Sequence, residues 1–186
     1  MTLRLNMTEE TLLTHTIIPL VSNTHCILFK PAIRFDFDNP PLPPVYLANC
    51  LIATMNRNSG MGLSANQIGL PWRVFVMRAE EAIVCYNPRI IEVSLEQINL
   101  DEGCLSYPFM YIKIKRPISV KARFTNAFGE TFTKQFVGMT ARCFLHEMDH
   151  LEGVNFTQRA NKALLDRAKR QVLKVQKRQI PAKLAL

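Results

Sequence analysis

Two histidines and a glutamate lie within one five-residue segment, His146-Glu147-Met148-Asp149-His150. Residues four apart on a helix share one face, so the two imidazoles can bind one divalent metal ion. On such a helix Glu147 is rotated by about 100° from His146, which leaves its carboxylate beside the ion and near a water molecule. A metal that acidifies water and a carboxylate that accepts its proton together favour hydrolysis. The alternative is a solvated helix with two unrelated histidines.

A third protein ligand is expected, because catalytic sites of this type have three ligands and one open position. No histidine follows His150, and the only later acids are Glu152, which is too close in sequence to reach the same ion, and Asp166. The longer metzincin pattern also fails, since Phe156 stands where its third histidine should be. The missing ligand should therefore come from upstream.

Cys104 offers an upstream thiolate. It follows the strand-like run from Ile98 to Leu100 and adjoins Gly103, which permits a close backbone approach. A Cys/His/His set suits Zn²⁺ or Fe²⁺, and coordination itself keeps a thiol deprotonated. A third segment, Gly60 to Gln67, turns through two glycines and offers the Gln67 amide as a donor. Taken alone, such a loop is equally typical of an ordinary structural turn.

Together these three segments resemble the peptide deformylase family. Its signatures are a Gly-x-Gly-Leu-(Ala/Ser)-Ala-x-Gln loop, a Glu-Gly-Cys-Leu-Ser strand end and a His-Glu-x-Asp-His helix, and all three occur here in that order, over roughly residues 27 to 157. Two departures are visible: the usual amino-terminal segment is not obvious before Phe29, and Leu145 stands where a glutamine is common. Ser64 and Asn66 are similar to the phage-encoded branch of the family.

The resemblance implies a reaction and a role for each residue. The formyl group is removed from the initiator methionine of a new peptide, and formate is released. The ion, implied to be Fe²⁺ with Zn²⁺, Ni²⁺ or Co²⁺ able to replace it, is bound by Cys104, His146 and His150. Glu147 transfers the proton, while the Gln67 side chain and the Leu105 backbone N–H stabilise the oxyanion.

Recognition of methionine requires an apolar cavity beside the ion. The expected wall residues are Met61, Leu100, Met139 and Cys143, with Arg142 at the rim. The peptide backbone is expected to pair in extended form with main-chain groups near Met61, Gly62 and Gly103. Two acids have supporting roles in this prediction: Glu102 orients a ligand or a loop, and Asp149 either forms an ion pair that holds the helix or acts close to the metal.

Length and composition indicate one domain with a sizeable core, since 186 residues with 48% hydrophobic side chains are ordinary for a globular protein. No apolar stretch approaches the roughly 18 residues of a membrane span. Five scattered cysteines, an odd number, argue for a reducing cytosol, in a bacterial cell or a phage-infected host, rather than for a disulfide framework. Four of the five are expected to be plain buried residues. The amino terminus lacks the basic start of a signal peptide and is predicted to stay in the mature protein.

Charge divides the chain into two parts. Residues 1–158 contain 14 basic and 14 acidic residues, whereas residues 159–186 contain nine basic residues and Asp166. We therefore predict a catalytic domain over 1–158 and a basic carboxy-terminal helix over 159–186. That helix either packs on the body as a solvated helix or docks on RNA phosphate, and the family resemblance implies the ribosome as its partner. A membrane or a specific DNA site is not expected.

The periodicities predict an α+β fold in which antiparallel sheets wrap a central metal-binding helix. A first helix is expected from Pro44 to about Asn58, and the metal helix from a Thr140 cap to about Glu152, with Gly153 as the stop. Strands are expected over Arg73–Arg78, Ile83–Tyr86 and the region Ile90–Leu100, and a hairpin over Ile118–Phe124 and Thr131–Val137.

Three functions fit these features. The favoured one is an active deformylase. A zinc endopeptidase is disfavoured by the absence of a downstream third ligand. The third is a catalytically inactive relative that serves as a ribosome-binding module, against which the five intact residues argue, namely Gln67, Cys104, His146, Glu147 and His150.

Overall fold

The computed structural model describes residues 16–179. In this range the helices are α1 (Pro44–Arg57), α2 (Met139–Leu151) and α3 (Lys162–Gln179), with 3₁₀ helices at Cys26–Phe29, Ala65–Ile68 and Phe156–Gln158. The strands are β1 (Gly62–Ser64), β2 (Val74–Met77), β3 (Ile83–Val93), β4 (Gln97–Cys104), β5 (Tyr107–Pro117), β6 (Ser119–Thr125) and β7 (Thr131–Val137). Helices and antiparallel sheets are mixed, so the predicted α+β class is confirmed. No helix among the described residues is long and apolar enough to span a membrane.

The strands form two antiparallel sheets on different sides of α2. The larger sheet has five strands in the order β1-β2-β3-β6-β7, and the smaller one is the hairpin β4-β5. Side chains of α2 and of the larger sheet make one apolar cluster, in which Phe75 and Phe136 pack against Phe144. The α2 helix is thus held between the sheets, and ten of its 13 residues are buried.

Helix α1 begins with Pro44 at a position where its missing N–H is not needed. Leu47, Leu51 and Met55 recur every four residues, are fully buried, and pack on the other part of the larger sheet. The helix ends at Arg57, one residue before the predicted end. This second core fixes the position of the loop that follows, which contains β1.

Helix α2 begins after Gly138, whose φ of 63° reverses the chain. The predicted Thr140 cap is wrong, because Thr140 is the second residue of the helix and the cap position has no side-chain hydrogen bond. The predicted stop is confirmed: Gly153 has a φ of 70°, and a Cβ there would lie 2.8 Å from the backbone of Phe29 and Lys30. Only glycine fits this close approach.

The hairpin β6-β7 is confirmed, with a turn at residues 126–130. The region Ile90–Leu100 is not one strand, because β3 ends at Val93 in the larger sheet and β4 begins at Gln97 in the smaller one. Strand β5 was not expected, although it pairs with the whole of β4. Helix α3 packs its first turns on β5, where Leu164, Leu165 and Ala168 join a small apolar cluster.

Candidate metal centre and active site

Cys104, His146 and His150 converge on one point. Cys104 ends β4, where the pairing with β5 shifts in register between Gly103 and Cys104. The two histidines lie one turn apart on α2. One ligand atom from each of the three side chains lies within 4.8 Å of the others, and Cys104 Sγ is 3.2 Å from His150 Nε2. Both imidazoles are almost fully buried.

The charges around this triad favour a thiolate. Burial raises the pKa of the Cys104 thiol, but the adjacent His150 and His146 outweigh it and bring that pKa well below its ordinary value. Glu102 Oε2 lies 3.2 Å from His146 Nδ1 and so fixes the orientation of the His146 ring. One sulfur anion and two imidazoles are a donor set for a borderline-soft divalent ion, so the residues fit a bound metal.

Buried guanidinium groups hold Glu102 in place. Arg116 donates to both of its carboxylate oxygens at 2.6 and 2.9 Å, and Arg142 donates to Oε1 at 2.6 Å. Burial raises the pKa of Glu102, yet the hydrogen bonds of His146 and Arg116 outweigh it and lower the pKa to about 2. Glu102 therefore stays ionised at neutral pH.

Asp149 points away from the metal ligands. It accepts hydrogen bonds from Arg116 at 2.9 Å and from Arg159 at 2.6 Å. These contacts tie α2 to β5 and to the segment before α3. Asp149 is not part of the group that converges on the ion position.

Glu147 is buried beside the triad and faces β1. The Ser64 hydroxyl donates to Glu147 Oε2 at 2.7 Å. Burial, the largest effect, raises the pKa of Glu147 above its ordinary value, while His146 and His150 oppose that rise. A Cβ on Gly62 would lie 2.5 Å from Glu147 Oε1, so β1 can approach the carboxylate this closely only with glycine there.

The Gln67 amide is held in one orientation. Its Oε1 accepts a hydrogen bond from the Ser64 backbone N–H at 2.9 Å, as part of a capping box. Its Nε2 therefore faces the triad, 3.6 Å from Cys104 Sγ and 3.1 Å from Ser106 Oγ. A donor is thus fixed beside the position of the ion.

A cavity of about 420 Å³ opens over the site. The triad members Cys104 and His146 lie in its wall, as do Gln67 and Glu147. Its lining also includes six other residues predicted for substrate binding or the oxyanion, namely Met61, Gly62, Gly103, Leu105, Met139 and Cys143. The sequence-predicted residues are thus largely brought together.

Two of the predicted substrate residues have a different position. Leu100 is half-buried on β4 and does not line the cavity. Arg142 borders the cavity but is buried beneath it rather than at its rim, because its guanidinium binds Glu102 and the backbone oxygens of Ile98 and Ile114. It supports the site from below.

Sequence reasoning missed two groups of residues. The sequence indicates no role for Ser64 beyond its similarity to the phage-encoded branch of the family. Its spacing from Glu147 does not predict the hydrogen bond between them. The β5 residues were missed although a signal exists: Ile112, Ile114 and Arg116 are buried in strict alternation with exposed lysines. That alternation places Arg116 on the inner face of the hairpin.

The Cys/His/His triad with an adjacent buried glutamate in an open cavity defines the class of metal-dependent hydrolases. The family model for polypeptide deformylase matches residues 17–165. The chain belongs to this family, whose members hydrolytically remove the formyl group from the amino terminus of newly made proteins.

Relatives and solved structures agree with this assignment. The peptide deformylase of Caulobacter vibrioides is 39% identical over 137 residues, covering 70% of this chain and 79% of that protein. That of Thermotoga neapolitana is 40% identical over 114 residues, covering 61% and 70%. The fold is similar to a Synechococcus elongatus peptide deformylase solved with actinonin (TM-score 0.77, 30% identity, 83% and 86% covered) and to one from Legionella pneumophila (TM-score 0.79, 28% identity, 88% and 98% covered).

Proposed function

We propose that Cys104, His146 and His150 hold one Fe²⁺ ion and that Glu147, Gln67 and Leu105 use this site to deformylate peptides that begin with formylmethionine. The observation that carries the proposal is the convergence of three ligand atoms within 4.8 Å, with the Glu147 carboxylate in the same cavity. When bound, the ion supplies Lewis-acid chemistry, which lowers the pKa of water and polarises the formyl group. Zn²⁺, Ni²⁺ or Co²⁺ would fit the same donors.

Glu147 is the proton carrier in this proposal. Its raised pKa lies closer to neutrality than that of a free carboxylate, which suits a group that must first accept a proton and then release it. Ser64 holds Oε2, and Gly62 leaves space beside Oε1. Glu147 would accept the proton from the attacking water and deliver it to the amine that leaves the formyl carbon.

The developing oxyanion needs donors that are already oriented. Gln67 Nε2 is one, because the bond from Ser64 N–H to its Oε1 leaves the NH₂ group directed into the cavity. The backbone N–H of Leu105, directly after the thiolate ligand, is the second proposed donor. Both act without a rearrangement at the moment of reaction.

Methionine would enter the cavity between Met61, Met139 and Cys143. Met61 and Met139 are each about half exposed at 53% and 54%, so both can cover an incoming apolar side chain. Burial raises the pKa of the Cys143 thiol, which keeps it neutral and apolar in character. The peptide backbone would pair with main-chain groups near Gly62 and Gly103.

Helix α3 is proposed to dock the enzyme on the ribosome. Its first turns pack on β5, whereas its seven basic side chains are all exposed and include Lys169, Arg170 and Lys174. Exposed cations along one helix suit an RNA phosphate backbone. A cytoplasmic location, in a bacterial cell or a phage-infected host, would fit this partner and the five free cysteines.

Formate release from formyl-Met-Ala-Ser tests the proposal. Protein loaded with Fe²⁺ under anaerobic conditions should release one formate per peptide, and Glu147→Gln protein with the same iron content should not. Cleavage of an internal peptide bond would instead support an endopeptidase. An inactive iron-loaded protein that still binds ribosomes would support the non-catalytic alternative.

A further inference from the structure

A second cavity, which we name the basic cleft, lies on the other side of α2 from the active site. It has a volume of about 460 Å³ and lies between β3, the end of β5, α2 and the segment before α3. Two of its lining residues are acidic, Asp149 and Glu152, and five are basic, namely Arg73, Arg89, Lys115, Arg116 and Arg159. The cleft therefore has a surplus of positive charge.

Three of the five cations have acidic partners. Arg73 lies 2.6 Å from Glu152, while Arg116 and Arg159 share Asp149. Both acids are thereby neutralised. Arg89 on β3 and Lys115 on β5 are exposed, and neither forms an ion pair within residues 16–179. Arg89 and Lys115 thus border one concave space, from two different sheets.

We propose that the basic cleft binds a small phosphorylated anion. Guanidinium and ammonium groups are the side chains that bind phosphate oxygens most strongly, and here they come from several elements around one space. The volume of about 460 Å³ is typical of small-molecule sites, which favours a compact ligand over the continuous backbone of a polymer. The shared chemistry is phosphate, whether from a nucleotide or from another phosphorylated metabolite.

The cleft is separate from the deformylation site, but a series of polar contacts through Arg116 joins the two. Arg116 lines the cleft and also binds Glu102, which in turn lies 3.2 Å from His146. Arg89 and Lys115 do not contact the metal ligands. Their removal should therefore leave deformylation unchanged, so a failure of this proposal can be distinguished from a failure of the proposed function.

Isothermal titration calorimetry of the metal-loaded full chain with ADP tests the proposal. Adenosine, which lacks phosphate, is titrated as the comparison ligand. The Arg89→Ala/Lys115→Ala protein is compared with a matched control, Arg34→Ala/Arg57→Ala, which removes two exposed arginines outside the cleft. Since charge-assisted hydrogen bonds to phosphate are about twice as strong as neutral ones, ADP binding should weaken at least about tenfold in the first variant and less than about twofold in the control.

Formate release should be equal in all three proteins. A parallel titration with a ten-nucleotide RNA identifies the source of the phosphate, because a cleft built for a small anion should prefer ADP. The proposal is overturned if ADP does not bind, if adenosine binds as well as ADP, if RNA alone binds, or if the two double variants weaken ADP binding equally.

Discussion

Helices α2 and α3 both have many charged residues but use them in opposite ways. In α2 the charged and imidazole side chains are buried, and each has a partner or a metal position to face. In α3 all seven basic side chains are exposed, with Asp166 as the only acid. The proposed chemistry of α2 depends on fixed distances between buried groups, while any function of α3 depends on long-range charge that salt can screen.

This difference in burial also determines how strongly a substitution in each helix should affect the protein. A substitution in α2 leaves a buried partner unsatisfied, so it should affect turnover or stability strongly. A substitution on the exposed face of α3 breaks no buried contact and should affect binding to a partner alone. The predictions below test each half of this comparison.

Metal removal should have the largest effect. Treatment with a chelator should abolish formate release, and addition of Fe²⁺, Ni²⁺ or Zn²⁺ should restore it, because the triad alone cannot polarise the substrate. Metal that binds only the folded state also stabilises it, so the melting temperature should fall on removal. Full activity in protein shown by mass spectrometry to be metal-free would contradict this.

Glu147→Gln should have the next largest effect. Loss of the proton carrier should lower kcat by about 10²–10⁴-fold, since positioned acid–base groups contribute that much. Metal content should stay at one ion per chain, because Glu147 is not among the three proposed ligands. The matched control is Glu92→Gln, which changes an exposed acid on β3 and should leave kcat unchanged.

Gln67→Ala should lower kcat by about 10²–10³-fold, the usual effect of removing one oxyanion donor. KM should change much less, because the donor acts mainly in the transition state. Gln97→Ala removes an exposed glutamine amide on β4 and serves as the control. A rise in KM with kcat unchanged would instead indicate a role in ground-state binding.

Arg116→Met should destabilise the fold by about 3 kcal/mol, because it leaves two buried carboxylates, Glu102 and Asp149, with fewer partners. The control is Arg73→Met, which breaks the more exposed pair with Glu152 and should cost less than about 1 kcal/mol. Urea unfolding of both variants measures the difference. Equal losses would mean that the buried network contributes no more than a surface pair.

Charge reversal on α3 should have the smallest effect on turnover. Lys169→Glu/Lys174→Glu should leave formate release within about twofold of the unchanged protein, while co-sedimentation with ribosomes at low salt should be lost. The control pair, Lys113→Glu/Lys121→Glu, changes two exposed lysines on the sheets and should sediment normally. Retained co-sedimentation of the α3 variant would argue against docking through this helix.

The parts of the fold that were predictable have strong local periodicity. Helix α1 and the hairpin β6-β7 were predicted nearly to their ends. Apolar residues recur at every fourth position in the helix and at every second position in the hairpin. The metal helix was predicted from its histidine spacing and its glycine stop. The Thr140 cap failed because Gly138 with a positive φ starts the helix without a side-chain bond.

The remainder depends on contacts between residues distant in sequence. The bond of Ser64 to Glu147 spans 83 residues, and that of Arg142 to Glu102 spans 40. No local pattern reports such pairs. Leu100 was expected in the cavity wall, but the lining that β4 provides begins only at Asp101, one residue further along the strand. The phage-like branch suggested by Ser64 and Asn66 stays a prediction, since the relatives described above are bacterial.

X-ray absorption of the iron-loaded protein, prepared without oxygen, is the most direct test of the central claim. The account predicts one sulfur ligand at about 2.3 Å and two nitrogen ligands at about 2.0–2.1 Å, taking the distances of comparable thiolate and imidazole sites. In Cys104→Ser protein the sulfur ligand should be absent. A spectrum of the unchanged protein with only oxygen and nitrogen ligands would contradict the account.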